Sequence, residues 1–239
     1  MSAIQQALLM AATAGDGDPY FSDVALLLHG NGTNGSTTIA DNSVNGYLPT
    51  VGGSAQISTA QSLFGGASIS LDGSTSFVRY ADALPLRLGG NDFTVEVSIR
   101  PASVSGYRCI AEHRDAFTAH GWTLYQDGTT LYFQAGDDNT AGWEVSLSAA
   151  SALSADTFHR IAVTRSGTTW RLFINGSIVA SATVSVTIMM SSAGTPYLTF
   201  GKFYNDSGYF SGHMEEIRIT NGACRYAATY TPDGPFLDS

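Results

Sequence analysis

Two adjacent carboxylates, Glu215 and Glu216, stand in the stretch GHMEEIRIT, the first place to look for chemistry in this chain. Glycoside hydrolysis needs two carboxyl groups facing each other across the scissile bond. Neighbours in a regular strand point to opposite faces, so these two cannot form such a pair by themselves. The spaced alternative, ExDxE on one strand face, does not occur. The five histidines, His29, His113, His120, His159 and His213, include no HExxH or similar metal spacing. No serine sits in GxSxG, and SLDGS has the form of a turn. Cys109 and Cys224 lie in unrelated surroundings outside any CxxC, so two separate thiols or one long-range bridge are the readings open. The expectation is a protein that is not an enzyme.

Glu215 needs an account of its own. Strict alternation puts it on the face of Ile217 and Ile219, where a carboxylate is costly unless paired or metal-bound. Met214 also has core character and is out of phase with Ile217. A β-bulge at 215–216 reconciles the two and turns both carboxylates outward. An arginine partner is the other simple answer.

Binding chemistry is better represented. Sugar recognition uses aromatic platforms beside amide or carboxylate hydrogen-bonders. Trp143 follows the acidic stretch 136–139, and Tyr204, Asn205, Asp206 and Tyr209 gather at one turn. These five are the candidate glycan-binding residues, since exposed tips carry function more often than strands do. Trp122 and Trp170 are embedded in strand patterns and read as core.

The elements that must hold these tips are strands. In FTVEVSIRP (93–101), Phe93, Val95, Val97 and Ile99 alternate with Thr94, Glu96, Ser98 and Arg100. ALLLHG (25–30) suits a strand buried on both faces. Hairpins are expected at 68–80 around Asp72-Gly73, at 122–136 around Asp127-Gly128, at 159–176, and at 197–220 around 205–208. No long helical periodicity appears. With 44% hydrophobic residues and 26 glycines in 239 residues, the chain can fill one β-sandwich with many turns. Charged residues are only 13% and the net charge is −9, which excludes the basic footprint of a nucleic-acid binder. No apolar run is long enough for a membrane helix. The N-terminal MSAIQQALLMAATAG has no Lys or Arg ahead of its apolar run, so it reads as an arm rather than an export signal, with Ile4, Leu8, Leu9 and Met10 as assembly contacts. The expected organisation is an arm over 1–22 and one domain over 23–239.

The order LLLHGNGTNGSTTIADNS, FGGASISLDGSTSFV, FTVEVSIRP, FHRIAVTRSGTTWRLFING and GHMEEIRITNGACRYAATYTPDGPF resembles the laminin-G-like, concanavalin A-like jelly roll, in the version carried by tailed-phage virion proteins. The similarity spans 24–236, with departures at Cys224 and at His159-Arg160. It implies an all-β fold of two antiparallel sheets packed face to face, with 93–101 and 159–165 as central strands and 212–220 pairing near the N-terminal strand. It also implies a structural Ca²⁺, for which Asp41, Asp72 and Glu215 are the candidate ligands and 136–139 a separate candidate loop. On function the resemblance implies a structural virion component, a capsid decoration, cement or tail protein. Such a part would be exposed on the particle, anchored to other virion proteins through its arm and oligomeric, with a trimer expected. The alternative is an adhesion module that reads host-surface glycans through its loop tips. Neither reading calls for nucleic acid or membrane.

Overall fold

The computed structural model describes residues 17–114, 121–137, 142–189 and 196–239. Fifteen strands are described: β1 (Val24–Leu28), β2 (Thr50–Gly52), β3 (Gln56–Ser58), β4 (Ser68–Asp72), β5 (Phe77–Ala81), β6 (Phe93–Pro101), β7 (Tyr107–Arg114), β8 (Gly121–Asp127), β9 (Thr130–Gly136), β10 (Val145–Ala149), β11 (His159–Ser166), β12 (Thr169–Ile174), β13 (Ser177–Thr183), β14 (Tyr197–Phe200) and β15 (Ser211–Asn221). They form two antiparallel sheets. Sheet A runs β13-β12-β11-β6-β15-β4-β3, with β1 also paired to β15, and sheet B runs β10-β9-β8-β7-β14-β5-β2. The helices described are two single 3₁₀ turns, Phe21–Asp23 and Leu84–Leu86. The two-sheet antiparallel sandwich expected from the sequence is the fold.

Between the sheets, period-two alternation supplies the core: Phe93, Val95, Val97 and Ile99 from β6 meet Trp122, Phe133, Leu198 and Phe200 from sheet B. Trp122 and Trp170 are fully buried there, as expected. Two of the expected hairpins are present, β8–β9 and β11–β12. The other two are corrected. β4 lies in sheet A and β5 in sheet B, and β14 lies in sheet B and β15 in sheet A. The turns at 72–76 and 201–210 therefore carry the chain across the sandwich instead of folding it back on itself. The β12–β13 turn is a two-residue loop with Asn175 (φ 50°) and Gly176 (φ 78°) both left-handed, the geometry that follows strand twist.

The outer face of sheet A is covered by the chain's own ends. Tyr226 and Tyr230 stack at 3.6 Å and pack edge-on against Phe173. Phe236 lies under the Arg218 guanidinium, 3.8 Å from ring centroid to Cζ. Thr94 Oγ1 donates to the Ala223 carbonyl and Thr164 Oγ1 to that of Tyr226. Beneath this cover Glu96 accepts from Arg218 Nε at 2.7 Å and from the Tyr226 hydroxyl at 2.8 Å. Asp18 is bound by Arg225 and Arg218. Burial opposes the ionisation of Asp18, but the Arg225 guanidinium holds its carboxyl below the usual range. Residues 18–22, which the sequence assigns to the arm, are thus built into the sandwich. The arm contacts Ile4, Leu8, Leu9 and Met10 lie outside the described residues.

The bulge expected near 215–216 is present. The β15–β6 register shifts between Glu215 and Arg218, and Glu216 adopts φ 47°. Met214 and Ile217 both reach the core as a result. The carboxylates turn away from the core yet are buried beneath neighbouring segments. Glu215 accepts from the Leu63 and Phe64 amides and the Ser62 hydroxyl, and not from an arginine. Glu216 accepts from His29 and from the Phe236 amide.

Candidate functional site

The three residues expected to ligate calcium stand apart, and each is occupied. Both oxygens of Asp41 accept hydrogen bonds, from the Leu27, Ser43 and Tyr47 amides and the Ser43 hydroxyl. Asp72 closes the crossing turn, accepting from the amides of Ser74, Thr75 and Ser76 and the hydroxyls of Ser54 and Thr75. Partial burial opposes ionisation there, but the Thr75, Ser74 and Ser54 donors together hold the carboxyl well below its ordinary range. Glu215 is filled as described above. N–H dipoles pointing at a carboxylate do the work a cation would do, and they would repel one. These residues do not fit a shared Ca²⁺, and among the described residues no group of three or more His, Cys, Asp or Glu could hold a metal. In the separate loop, the Asp137 amide donates to Glu144 Oε2 at 3.1 Å, while Asp138 and Asn139 lie outside the described residues.

The imidazoles have structural partners. His113 contacts the Leu86 carbonyl and Asp82, His159 contacts Ser154, and His213 contacts Ser68. His120 lies outside the described residues. Cys109 and Cys224 form no disulfide: Cys109 packs with Tyr125 and Phe203 on the outer side of sheet B, and Cys224 Sγ donates to the Tyr226 carbonyl.

The glycan candidates are divided differently. Trp143 and Tyr204 come together although 61 positions apart, and what joins them is a residue the sequence did not single out. The Arg114 guanidinium lies 4.3 Å from the Tyr204 ring centroid and 5.2 Å from that of Trp143. A cation within reach of two aromatic rings holds both in place, and both rings stay half-exposed. Tyr204 is half-buried, Asn205 and Asp206 are exposed, and Tyr209 is half-buried on the return limb of the same connection. Asp206 pairs with Lys202, and Ser207 donates to Asn205 Oδ1 at 2.5 Å.

This connection lies on the outer face of sheet B. The strand registers bring a line of polar side chains across all seven strands: Ser146, Gln134, Thr123, Glu112, Thr199, Arg79 and Thr50. At the usual strand separation the line is roughly 29 Å long. Its two ends are exposed or half-buried, and its centre at Thr199, Glu112 and Thr123 is buried. Beside the line runs an aromatic strip. Tyr132 stacks on Tyr125 at 4.9 Å, Tyr125 meets Tyr107 at 4.6 Å, and Tyr107 stacks on Phe203 at 4.7 Å. Tyr125 donates to Gln134 Oε1 and Gln134 to Ser146, so the strip and the polar line are bonded together.

Glu112 is the chemically unusual member. One oxygen accepts from the Tyr204 amide, while the other, like the hydroxyl of its cross-strand neighbour Thr123, is buried without a hydrogen-bond partner. Burial pushes the Glu112 carboxyl up to about 8, against the pull of Arg114. Burial thus favours the neutral carboxyl at the point where it accepts from the Tyr204 amide. The sequence hid this face for a plain reason. Its residues come one at a time from seven strands, and only the register lines them up.

A family model described as the Concanavalin A-like lectin/glucanases superfamily (Laminin_G_3) matches residues 72–227. No curated protein gives a match. Among solved structures, the fold is similar to the binding domain of Paraclostridial Mosquitocidal Protein 1 (TM-score 0.65, 15% identity, 85% of this chain and 50% of that one). It is also similar to the botulinum neurotoxin serotype G binding domain (TM-score 0.62, 15% identity, 84% and 49%). A third is domain 4 of AbnA, a GH43 extracellular arabinanase from Geobacillus stearothermophilus, in complex with arabinotriose (TM-score 0.64, 16% identity, 84% and 93%). The chain spans about half the length of the toxin binding domains it matches and nearly all of the arabinanase domain. With the matched family model covering most of its length and both sheets built as described, this chain belongs to the laminin-G-like branch of the concanavalin A-like lectin/glucanase superfamily.

Proposed function

We propose that this protein is a non-enzymatic carbohydrate-binding module whose binding surface is the outer face of sheet B. The observation that carries the reading is the arrangement of that face: a polar line bordered by the Tyr132–Tyr125–Tyr107 strip and by Trp143 and Tyr204 around Arg114. Aromatic faces accept the C–H surface of a pyranose or furanose ring, and the adjacent hydroxyl, amide and guanidinium groups select its hydroxyls. A binding role for a domain of this shape is supported by its neighbours, one of which holds arabinotriose. The candidate acids of a hydrolase, Glu215 and Glu216, instead serve as buried acceptors behind sheet A.

The neighbours favour this reading over the purely structural virion part expected from the sequence. The two are compatible, because a particle protein can also display a binding face. Location on a phage particle, anchoring through the arm expected over 1–22 and trimeric assembly belong to the proposal, and the position of the protein in purified particles tests them.

Isothermal titration against neutral and acidic oligosaccharides, arabinotriose included, tests the binding function. Saturable binding is expected, with Trp143→Ala and Tyr132→Ala each weakening it by about tenfold or more, the equivalent of about 1.4 kcal/mol. No release of new reducing ends is expected on prolonged incubation. Binding unchanged in both variants, or hydrolysis of a bound sugar, contradicts the reading.

A further inference from the structure

Arg79 occupies the polar line of sheet B, between Thr50 and Thr199. Its guanidinium is set between two rings, 4.4 Å from the Tyr197 centroid and 5.5 Å from that of Phe77. Lys202 also contacts Phe77, with its Nζ 4.1 Å from the same centroid. In a chain with 20 acidic and 11 basic residues, such an arginine would be expected to find a carboxylate. Arg87 has Asp82, Arg100 has Asp156, Lys202 has Asp206, and Arg218 and Arg225 share Asp18. Arg79 has none. Its Nε is buried without a hydrogen-bond partner, while its terminal nitrogens are neither buried nor bonded within the protein. The carboxylate closest along the polar line, Glu112, lies two strands away. That carboxyl is mostly protonated at neutral pH and cannot neutralise the site.

A half-buried guanidinium held flat between aromatic rings has already lost much of its freedom and part of its hydration. It is preorganised for a planar, two-pronged contact with an oxyanion. The exposed Thr50 and the half-buried Tyr197 ring supply the contacts that a sugar ring around that oxyanion needs. On this basis we infer that Arg79, with Phe77 and Tyr197, forms the subsite that takes the acidic group of a glycan, so that the ligand of this face is an anionic oligosaccharide. The inference rests on the glycan-binding reading above and adds the class of sugar to it. The acid can be the carboxylate of a uronic or sialic-type residue or a sulfate ester, since the guanidinium fork matches both.

The test uses the full chain on a panel of uronic-acid, sialylated and sulfated oligosaccharides, each paired with its neutral counterpart: carboxyl-reduced, desialylated or desulfated. Affinities are measured for the wild type, Arg79→Gln and Arg79→Lys, with thermal unfolding of each variant recorded alongside. The acidic member of at least one pair should bind about tenfold or more tightly than its neutral partner, and added salt should shrink that gap. Arg79→Gln should abolish the gap by costing the acidic member of the pair much more affinity than the neutral one, and Arg79→Lys should recover only part of it, because the ammonium lacks the fork. Which pair shows the gap separates carboxylate from sulfate. Equal affinity within every pair, or a gap that survives Arg79→Gln in a folded variant, overturns the anionic subsite and leaves glycan binding standing. No binding to any member of the panel overturns the glycan reading and the subsite with it.

Discussion

The Nδ1 of His29 lies 2.8 Å from Oε1 of Glu216, joining the end of β1 to the bulge of β15. On its other side Nε2 lies 2.8 Å from Asp238, so the same imidazole fastens the C-terminal segment over sheet A. The hydrogen bond to Glu216 is the chief cause that raises His29 to about 9, against the opposing effect of burial, with Asp238 assisting. A histidine raised in the folded state stabilises fully below its unfolded value near 6.5 and loses that contribution as pH rises through about 9. Urea unfolding between pH 6 and pH 10 should therefore show a fall on the order of 2 kcal/mol that His29→Gln lacks. The figure is set below the full linkage value because Asp238 is exposed and screened. Parallel curves for the two proteins would refute the clasp.

Glu112 should behave in the opposite sense. Burial pushes its carboxyl up to about 8, so the folded state retains a proton that the unfolded state releases near 4.5. The resulting penalty on stability is absent below about pH 4.5, grows as pH rises, and is complete above about 8. Glu112→Gln keeps the shape and the acceptor for the Tyr204 amide without the ionisable proton. It should match the wild type at pH 4 and be more stable at pH 9 by a few kcal/mol, held below the full linkage value of about 5 kcal/mol by the unbonded amide nitrogen that Gln buries. Calorimetric scans at the two pH values decide this, and a destabilised variant at pH 9 would show that the carboxylate is charged and paired in place.

Gly176 holds the second left-handed position of the β12–β13 turn, and a Cβ there would run into the Tyr230 carbonyl. That carbonyl belongs to the segment covering sheet A, whose amide in turn donates to the Gly176 carbonyl at 2.9 Å. Gly176→Ala should cost about 2–3 kcal/mol, from turn strain plus displacement of the cover. It should also make the chain beyond residue 225 cleavable by proteases before global unfolding. Gly167→Ala, at φ +58° with open space around it, should cost only about 1 kcal/mol and leave the C-terminal segment protected. Equal losses at the two sites would contradict the role given to the Tyr230 contact.

The strands and the two-layer fold were legible because facing a shared core makes apolar and polar residue types alternate along β6, β9, β11 and β12. Partnership was less legible. Asp72-Gly73 and the 205–208 turn look like hairpin turns, yet each hands the chain to the opposite sheet. A turn between two alternating strands has one local signature whether the second strand pairs with the first or faces it. Buried acids misled for a related reason. Glu96 and Glu216 are covered by residues more than a hundred positions or some twenty positions away, Tyr226 and Phe236, and no local pattern announces that cover. Trp143 and Tyr204 were marked by type and by their turns. Arg114, Arg79 and the tyrosine strip were not, because each is an ordinary outward residue of its own strand until the sheet registers are known.

The central claim is that the outer face of sheet B is the binding surface, and residue-resolved NMR during titration with a binding oligosaccharide tests it most directly. Perturbations should concentrate on Tyr107, Tyr125, Tyr132, Trp143, Tyr204 and the polar line from Gln134 to Arg79, with sheet A unaffected. Perturbations confined to the turns at 33–46, or to the Tyr226–Phe236 cover of sheet A, would contradict it.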